Sequence, residues 1–403
     1  MRVLLVHGRY RSAAPSGENN VVDQEAAALR DAGHQVDLFQ RHSDEIAGWS
    51  LPQKAALPAR TLWNGPVRRD LARRLEQDRP DVVHVHNTFP LLSPSVLHAC
   101  HEAGVPVVAT LHNYKLLCAS GDFFRDGAPC HDCAMGRIVP AALHGCYRGS
   151  RAATLPVVAS LAAHRSAWQG LVSAYVFISA SQRDLMQGLG LPSDRVFVKH
   201  NFVPPRQPRS GDPEHMVVYL GRLDQAKGLP LLMRSWDVFR RRNPHSGLRL
   251  AVAGGGPLDE DVRGWAAERP TVDVLGLLAS DRAAEVLRRA VAAVVPSQWE
   301  ETFGLVAIEA MAAGVAPIAP ARGSFPELVM DGDNGALFTP DDPDALALAL
   351  EDVDTHPERY LECGRRARAT YEKRFSRAAN VDELVAIYEF AMGNPVGRRH
   401  VAS

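Results

Sequence analysis

Two glutamates, Glu301 and Glu309, stand in a segment whose residue types suit the binding of a phosphorylated sugar. The apolar run 292–295 predicts a buried strand, and residues 305–313 predict a helix without breakers. The strand therefore leads into a helix N-terminus at Gly304, where backbone amides suit a phosphate and the missing side chain permits its close approach. Glu301 would repel that phosphate unless it faced sugar hydroxyls, and Glu309, about two helical turns further on, could meet a second diol. Two acids that flank one anion site predict a sugar nucleotide as the ligand.

A basic pair, Arg222 and Lys227, directly follows the predicted strand 216–220. Arginine can bridge phosphate oxygens bidentately and lysine adds a mobile point charge, so the pair suits a diphosphate leaving group. In isolation the same spacing would favour a basic surface turn. The next predicted strand, 248–253, ends in a glycine turn where Gly254 and Gly256 would admit a base or a phosphate close to the backbone.

These segments occur in an order that resembles the retaining glycosyltransferases of family 4, including capsular, exopolysaccharide and natural-product glycosyltransferases. The resemblance rests on a Pro-Ser, Glu-x-Phe-Gly and Glu-Ala-Met-Ala-x-Gly frame at 296–314, with seven residues between its two glutamates. A Gly-Arg-Leu segment ending in Lys-Gly and a Gly-x-Gly-Pro turn precede that frame, at 221–228 and 254–257. The resemblance implies the α/β fold called GT-B, in which two Rossmann-like domains with doubly wound parallel sheets face each other across a cleft. It implies catalytic roles for His112, Arg222, Lys227 and Glu301, and donor contacts from Gly17, Gly254, Gly256, Phe303, Gly304, Leu305 and Glu309.

The resemblance also implies the reaction, which is transfer of a glycosyl unit from a nucleotide-diphosphate sugar to an acceptor hydroxyl with retention at the anomeric carbon. Arg222, Lys227 and the helix N-terminus at Gly304 would stabilise the departing diphosphate, with no metal or other cofactor required. A double displacement needs a nucleophilic carboxylate beneath the sugar, as in retaining glycosidases, and we find no clear candidate. We therefore favour attack on the same face, assisted by the leaving phosphate.

The expected donor is a UDP- or GDP-sugar, and the expected acceptor is a glycan, a glycolipid or a small-molecule glycoside. The formal net charge of -1 gives no global basic field that would favour nucleic acid. Two other classes stay open, namely a catalytically retired nucleotide-sugar-binding or scaffold protein and another GT-B enzyme such as a phosphorylase or a sugar-nucleotide epimerase. The intact set of implied catalytic residues argues against retirement, and the cofactor lysine of a phosphorylase has no signature here.

The N-terminal half is expected to supply the acceptor side. Residues 16–20 follow the first strand and open a helix, and they resemble the Gly-Gly-x-Glu turn of the family with Ser16 in place of the first glycine. Gly17 is therefore the position expected to approach the donor. His112 ends the fourth predicted strand, where the resemblance implies that it contacts and orients the transferred sugar. His84 and His86 are expected to point to alternate sides of their strand and to serve structural roles.

Strand-length apolar runs alternate with amphipathic helical stretches, which predicts parallel sheets covered on both faces. We expect an N-terminal acceptor-binding Rossmann-like domain over residues 1–202, with a cysteine-bearing insert over 114–150. A polar, proline-rich linker over 203–214 and a donor-binding Rossmann-like domain over 215–370 follow. A last helix over 371–392, which crosses back to the first domain in the resembled family, and a tail over 393–403 complete the chain.

The insert holds four of the six cysteines, Cys118, Cys130, Cys133 and Cys146. Cys130 and Cys133 have the spacing of a metal knuckle, and the flanking pair could complete a tetrahedral zinc site. Zinc sites usually show two such close pairs, so buried free thiols stay an alternative and we assign no metal. The insert follows His112 and is expected to shape the acceptor pocket.

The N-terminus has no signal-peptide pattern and no apolar run is long enough to span a bilayer, so we expect a cytoplasmic protein. One helix carries Arg68, Arg69, Arg73 and Arg74. These arginines could contact the anionic inner surface of a membrane, and a solvated basic helix face is the alternative.

Overall fold

A computed structural model describes residues 1–12 and 16–396, and it divides the chain into two compact units. The first unit comprises Met1–Phe123, Cys130–Asn201 and the chain from Asn380 onward. The second comprises Phe124–Pro129 and Phe202–Ala379. Most of the predicted tail, from residue 397, lies outside the described residues.

The strands of the described residues include every predicted apolar run, to within a few residues at each end. They are β1 (Arg2–Arg9), β2 (Gln35–His42), β3 (Val82–Asn87), β4 (Val107–Leu111), β5 (Phe124–Arg125), β6 (Ala128–Pro129), β7 (Ala174–Phe177), β8 (Val196–Val198), β9 (Glu214–Leu220), β10 (Arg249–Ala253), β11 (Val272–Gly276), β12 (Ala290–Val294), β13 (Ala316–Pro320) and β14 (Ala336–Phe338).

The helices fill the intervals between these strands, as a βαβ arrangement requires. They are α1 (Gly17–Asp31), α2 (Leu51–Ala55), α3 (Leu57–Leu62), α4 (Gly65–Gln77), α5 (Ser95–Glu102), α6 (Val139–His144), α7 (Arg151–Ala163), α8 (Arg165–Gly170), α9 (Ala180–Leu185), α10 (Leu229–Arg242), α11 (Asp259–Ala267), α12 (Ser280–Arg289), α13 (Leu305–Ala312), α14 (Phe325–Leu328), α15 (Pro343–Thr355), α16 (Pro357–Arg374) and α17 (Arg377–Gly393).

Each unit contains one six-stranded sheet whose recorded strand pairs are all parallel. The strand orders are β2-β1-β3-β4-β7-β8 and β11-β10-β9-β12-β13-β14. The strand order reverses at β1 and at β9, and ligands of doubly wound sheets bind beyond the carboxyl ends of the strands at such points. The predicted fold class, two doubly wound α/β units, is confirmed.

The central strands are buried on both faces, which explains their continuous apolar sequences. Every residue of β4 and β12 is buried, and β1 is buried from Val3 to Gly8. Parallel strands covered by helices on both sides need apolar residues at successive positions rather than at alternate ones. The rigid sheets that result hold the loops at their carboxyl ends in place.

Three details differ from the sequence-based expectations. β14 and the two-residue hairpin strands β5 and β6 are too short to produce a recognisable apolar run. The last helix begins at Arg377 rather than at residue 371, because the backbone leaves the helical conformation at Phe375, with φ -124° and ψ 13°, and residues 371–374 belong to α16. The segment expected to be a linker is bonded to the second unit, where the Arg209 backbone N–H donates to the Ala313 carbonyl oxygen at 2.9 Å.

The arginines of α4 mostly pair with acids on the protein itself. Arg68 pairs with Glu102, Arg73 bonds Asp70 at 2.6 Å, and Arg74 lies 3.3 Å from Asp37. These ion pairs favour the alternative of a solvated helix face. Among the described residues, no helix has both the length and the apolar composition needed to cross a membrane.

Candidate functional site

The expected donor residues of the second unit stand on loops that follow three neighbouring strands. Residues 221–228 follow β9, residues 254–257 follow β10 and residues 295–304 follow β12. β9 lies between β10 and β12, so these loops meet at the edge where the strand order reverses. The fold thus brings together three segments that lie far apart in the sequence.

Lys227 and Glu301 form the centre of this edge. The Lys227 ammonium donates to both oxygens of Glu301, at 3.1 and 2.9 Å, and lies 4.7 Å from the ring centroid of Trp299. Glu301 Oε2 also accepts from Ser297 Oγ at 3.1 Å and from Trp299 Nε1 at 2.7 Å. Three donors therefore saturate Oε2 of a nearly buried carboxylate. These contacts favour a role for Glu301 in holding Lys227, whereas the sequence suggested that it would face sugar hydroxyls.

Asp224 connects the two expected cations. It pairs with the Arg222 guanidinium, and its Oδ1 accepts the Lys227 backbone N–H at 2.8 Å. The Tyr219 hydroxyl donates to the Arg222 carbonyl oxygen at 2.7 Å and fixes the turn. The Arg222 side chain is 63% exposed, so most of its guanidinium can reach a ligand outside the loop.

The first turn of α13 is built as the sequence predicts. Gly304 precedes the helix with φ at 78°, and a Cβ on it would lie 2.7 Å from the Phe325 ring. The first hydrogen bond to the Gly304 carbonyl oxygen comes from the Ala307 backbone N–H, at 3.0 Å. The amides of Leu305 and Val306 therefore lie before the first backbone hydrogen bond of the helix. Such amides suit a phosphate.

The glycines after β10 have a packing role that the sequence did not indicate. Gly254 has φ at 152°, and a Cβ there would overlap the Gly221 carbonyl oxygen. The Gly221 N–H donates to the Ala253 carbonyl at 3.1 Å, and the Leu223 N–H donates to the Gly255 carbonyl at 3.1 Å. Gly256 likewise abuts the backbone of Leu223. These glycines let the two loops lie against each other.

The other residues that are expected to contact the donor differ in how far they are exposed. Phe303 is only 2% exposed as a whole residue, so it offers almost no surface to a ligand. Leu305 is half-buried. The Glu309 side chain is 36% exposed and lies 3.8 Å from Arg206, and desolvation raises its pKa above the usual value.

In the first unit, His112 lies at the end of β4 in a row of buried histidines. Its Nε2 is 2.9 Å from His86 Nδ1, and the two rings stack with centroids 5.2 Å apart. Burial lowers the pKa of His112 well below its usual value, which keeps the ring neutral. Gly17 is exposed at the start of α1, whose N-cap Ser16 accepts the Asn19 N–H at 3.5 Å.

The histidine row ends on Glu25, a buried acid of α1 that the sequence analysis did not single out. Glu25 Oε1 lies 3.2 Å from His84 Nδ1 and 3.3 Å from His86 Nε2, and Oε2 lies 3.6 Å from the buried Lys199 ammonium. The expectation that His84 and His86 point to opposite sides of β3 is wrong, because side chains two residues apart share a face. Their rings lie 4.0 Å apart.

Further contacts fix this network in the first unit. His84 is bonded to Thr110 Oγ1 and to the Tyr388 hydroxyl of α17, both at 2.7 Å. Lys199 donates to Asn380 Oδ1 at 2.9 Å. Despite burial, the neighbouring histidines hold the pKa of Glu25 well below its usual value. The ionised Glu25 oxygen, 3.3 Å from His86 Nε2, favours a proton on that nitrogen, which leaves Nδ1 to accept from His112 Nε2–H and so orients the His112 ring.

Glu25, His84 and His86 offer ligand atoms within 4.8 Å of one another, a grouping that could hold a metal ion. The Lys199 ammonium already neutralises the same carboxylate, so we interpret the group as an ion-paired network. In the insert, Cys118 and Cys133 are buried, and Cys130 and Cys146 are half-buried. Desolvation, together with its three neighbouring thiols, raises the pKa of Cys133 to about 11. The zinc hypothesis stays a prediction, which metal analysis of the purified protein tests.

Two family profiles match successive parts of the chain. The profile described as Glycosyltransferase Family 4 matches residues 15–207, and the profile described as Glycosyl transferases group 1 matches residues 205–370. The chain is 27% identical to the phosphatidyl-myo-inositol mannosyltransferase of Mycolicibacterium smegmatis, over 95% of this chain and 92% of that protein. It is 28% identical to a glycogen synthase of Mycobacterium tuberculosis, over 93% of this chain and 90% of that protein.

Solved structures show the same fold at lower sequence identity. The crystal structure of Anabaena Alr3699/HepE in complex with UDP and glucose has a TM-score of 0.69 at 14% identity, covering 96% of this chain and 99% of that chain. The sucrose-phosphate synthase from Thermosynechococcus elongatus has a TM-score of 0.67 at 18% identity, covering 96% and 98%. These structures show the GT-B fold, and the two profile matches, which together span residues 15–370, show that the chain belongs to the family 4 glycosyltransferases, as its motifs predict.

Proposed function

We propose that this glycosyltransferase uses a nucleotide-diphosphate sugar, which the second unit binds, and transfers the sugar with retention to a hydroxyl of a glycan, glycolipid or small-molecule glycoside. The observation that carries the proposal is the fixed ammonium of Lys227, held by Glu301 on the same sheet edge as the first turn of α13. A cation and free helix amides together suit the charge that develops on a departing diphosphate. Arg222, which is largely exposed, adds a second cation.

The proposed roles follow from these contacts. Lys227 and Arg222 neutralise the diphosphate, and Glu301 positions Lys227. Glu309 accepts from a diol of the donor. His112, neutral and oriented by His86, contacts the transferred sugar. We propose that no metal is needed because these groups already supply the positive charge, and that the leaving phosphate takes the proton of the acceptor hydroxyl.

Relatives suggest which compounds to test first. The mycobacterial relative is named for phosphatidyl-myo-inositol and mannose, and the Anabaena structure holds UDP and glucose. UDP-glucose and GDP-mannose are therefore the first donors. Phosphatidyl-myo-inositol and simple methyl glycosides are the first acceptors.

The test is a transfer assay with these donors and acceptors, in EDTA and with added Mg²⁺, in which NMR assigns the anomeric configuration of the product. The proposal expects one donor to be consumed at equal rates in both buffers and to give a product with the donor's configuration. An inverted product would contradict retention, and activity only with metal would contradict metal independence. Binding of a nucleotide sugar without turnover on any acceptor would favour the catalytically retired alternative.

A further inference from the structure

A cavity of about 340 Å³ lies on the second unit, apart from the three loops that carry the expected donor residues. The end of the segment 203–214, Gly314 and one face of α16 line this cavity. Gly314 follows α13, so about 12 Å of helix separates the cavity from the first turn of α13, where the donor phosphate is expected. Gly211, Asp212 and Arg365 in its wall are exposed, so the cavity is open to solvent.

Arg209 brings to this cavity a positive charge that no acid neutralises. Its Nε donates to the Arg288 carbonyl oxygen at 3.2 Å, and its Nη2 donates to the Ala290 carbonyl oxygen. Within residues 1–12 and 16–396 no carboxylate pairs with it, and burial lowers its pKa to about 10. Carbonyl groups satisfy the hydrogen bonds of this half-buried guanidinium but leave its charge without a counter-ion.

Two more arginines, Arg365 and Arg368, line the same cavity from α16. Arg365 pairs with Glu362 through Nε, at 2.8 Å, and through Nη2. Arg368 donates from Nε to Glu372 at 2.7 Å and from Nη1 to backbone carbonyl groups. In the described part of the chain, one terminal nitrogen of each arginine therefore has no partner, namely Nη1 of Arg209, Nη1 of Arg365 and Nη2 of Arg368. None of these three nitrogens is a buried atom without a partner, so a ligand in the solvent can reach them.

We propose that the cavity lined by Arg209, Arg365 and Arg368 binds a phosphate monoester, at a site separate from the expected donor site. Guanidinium groups match the oxygens of a phosphate in geometry and charge, and a phosphate dianion supplies the counter-ion that Arg209 lacks. The cavity volume lies within the range of small-molecule pockets, about 300–1,000 Å³, so it has room for a substituent on the phosphate. A soluble phosphate ester and the headgroup of phosphatidic acid present this same group.

One acid in the cavity wall gives the proposal a test of sign. Asp212 is exposed and forms no ion pair within the described residues, so its charge opposes a bound phosphate. Asp212→Asn should therefore strengthen phosphate binding, whereas loss of a lining arginine should weaken it.

Arg366 provides a matched control on the same helix. It is the next residue after Arg365, its side chain is 52% exposed, and it does not line the cavity. It lies 3.0 Å from Asp333 and 3.2 Å from Glu362. Arg366→Met thus removes the same charge as Arg365→Met without changing the cavity wall.

The experiment is calorimetric titration of the full-length protein with glycerol 3-phosphate at constant ionic strength. We expect Arg365→Met and Arg209→Met each to weaken binding about tenfold or more, as for a lost charged hydrogen bond. Arg366→Met should stay within about threefold of the wild type, and Asp212→Asn should bind about threefold more tightly. The same ratios are expected in a Lys227→Met background, where a phosphate at the donor site would be weakened. Urea unfolding confirms that each variant is folded, and the exposed Arg365 decides the test if Arg209→Met does not fold.

A second titration separates the two sources of the phosphate monoester. It uses vesicles of phosphatidylcholine with and without phosphatidic acid, and binding is measured by sedimentation. Binding of glycerol 3-phosphate that Arg365→Met weakens would support the site with a soluble ester as its ligand. Binding only to vesicles that contain phosphatidic acid, weakened in the same variant, would support it with the lipid as its ligand.

Three results would overturn the proposal. The first is equal affinity of the wild type and Arg365→Met for both probes. The second is an equal loss in Arg366→Met, which would show a general effect of charge rather than a site. The third is no binding of either probe to the folded wild type at millimolar concentration. The proposed glycosyl transfer uses none of these arginines, so each result leaves that function untouched.

Discussion

The two units build their polar sites in opposite ways. In the second unit, Lys227 and Glu301 come from short loops, and the Lys227 side chain remains partly open, with 28% exposed against 9% for Glu301. In the first unit, Glu25 and Lys199 are 2–3% exposed and draw on strands, α1 and α17 for partners. The open lysine can bind a ligand while Glu301 holds it, whereas the buried pair mainly fixes the position of other groups. The comparison predicts that removing a charge from the buried pair lowers the stability of the protein. Removing a charge from the pair in the second unit should instead lower its activity.

The largest expected effect on stability is that of Lys199→Met. It leaves the Glu25 charge buried with one partner fewer, which should lower the free energy of unfolding by about 3–5 kcal/mol in urea titrations. The double variant Lys199→Met, Glu25→Gln should recover part of this loss, because neither charge remains. Lys54→Met, at an exposed lysine, serves as the control. A loss below about 1 kcal/mol, the range of an exposed ion pair, would contradict the distinction between the two units.

The largest expected effect on catalysis is that of Lys227→Met. Loss of one preorganised charge at a leaving group should lower kcat by about 10² to 10³-fold, with little change in unfolding. Glu301→Gln should lower kcat less, and the double variant should be no slower than Lys227→Met alone, since Glu301 acts through Lys227. Lys373→Met, at an exposed lysine of α16, is the matched control. Additive losses in the double variant would show that Glu301 has a direct role instead.

The pH dependence of stability sharpens the comparison for the first unit. The pKa of Glu18 is raised to about 8 in the folded protein, so the folded state holds a proton that the unfolded chain releases above pH 4.5. This group therefore makes the protein less stable as the pH rises from 4.5 to 8. The difference in the free energy of unfolding between Glu18→Gln and the wild type should therefore shift by about 2 kcal/mol in favour of Glu18→Gln when the pH rises from 5.5 to 7.5.

Asp23→Asn is the control for that measurement, since Arg9 holds the pKa of Asp23 below its usual value and no titration falls in this window. Urea unfolding at several pH values measures both variants. A constant difference between Glu18→Gln and the wild type would show that Glu18 is ionised throughout.

The smallest expected effect concerns the backbone of the second unit. Gly304→Ala should cost about 2 kcal/mol of stability, because a Cβ is strained at φ 78° and meets the Phe325 ring. Gly211 has a similar φ of 82°, but a Cβ there would meet no other atom. Gly211→Ala should therefore lower the stability only by the cost of the strained φ, without the clash. Nucleotide affinity should fall in Gly304→Ala alone. Equal losses of stability and of nucleotide affinity in both variants would show that the contact of Gly304 with Phe325 does not matter.

This contrast also explains what the sequence could predict. The loops around Arg222, Lys227 and Gly304 are short, and their chemistry depends on glycine, charge and the start of a helix, all of which are local features. The parallel sheets follow from continuous apolar runs. The network of Glu25 and Lys199 depends instead on residues far apart in the chain that meet only in the folded unit. A charged residue at a position of α1 that faces the sheet was the one available signal.

The roles of Glu301 and the linker were harder to predict for a related reason. The sequence places Glu301 beside an anion site, but its rotamer is set by Ser297 and Trp299 in the same loop. The segment 203–214 has the composition of a linker, yet Arg209 donates hydrogen bonds to backbone carbonyls of the second unit. Composition indicates solvent exposure, whereas the folded contacts depend on which carbonyl groups lie nearby.

The most direct test of the central claim is calorimetric binding of UDP and GDP to the wild type, Lys227→Met and Lys373→Met. The account predicts that one of the two nucleotides binds the wild type and Lys373→Met alike, and that Lys227→Met weakens this binding at least tenfold, as expected for a lost charged hydrogen bond. Equal affinity in Lys227→Met, or no binding of either nucleotide to the folded wild type, would contradict the claim that the second unit binds the diphosphate of the donor.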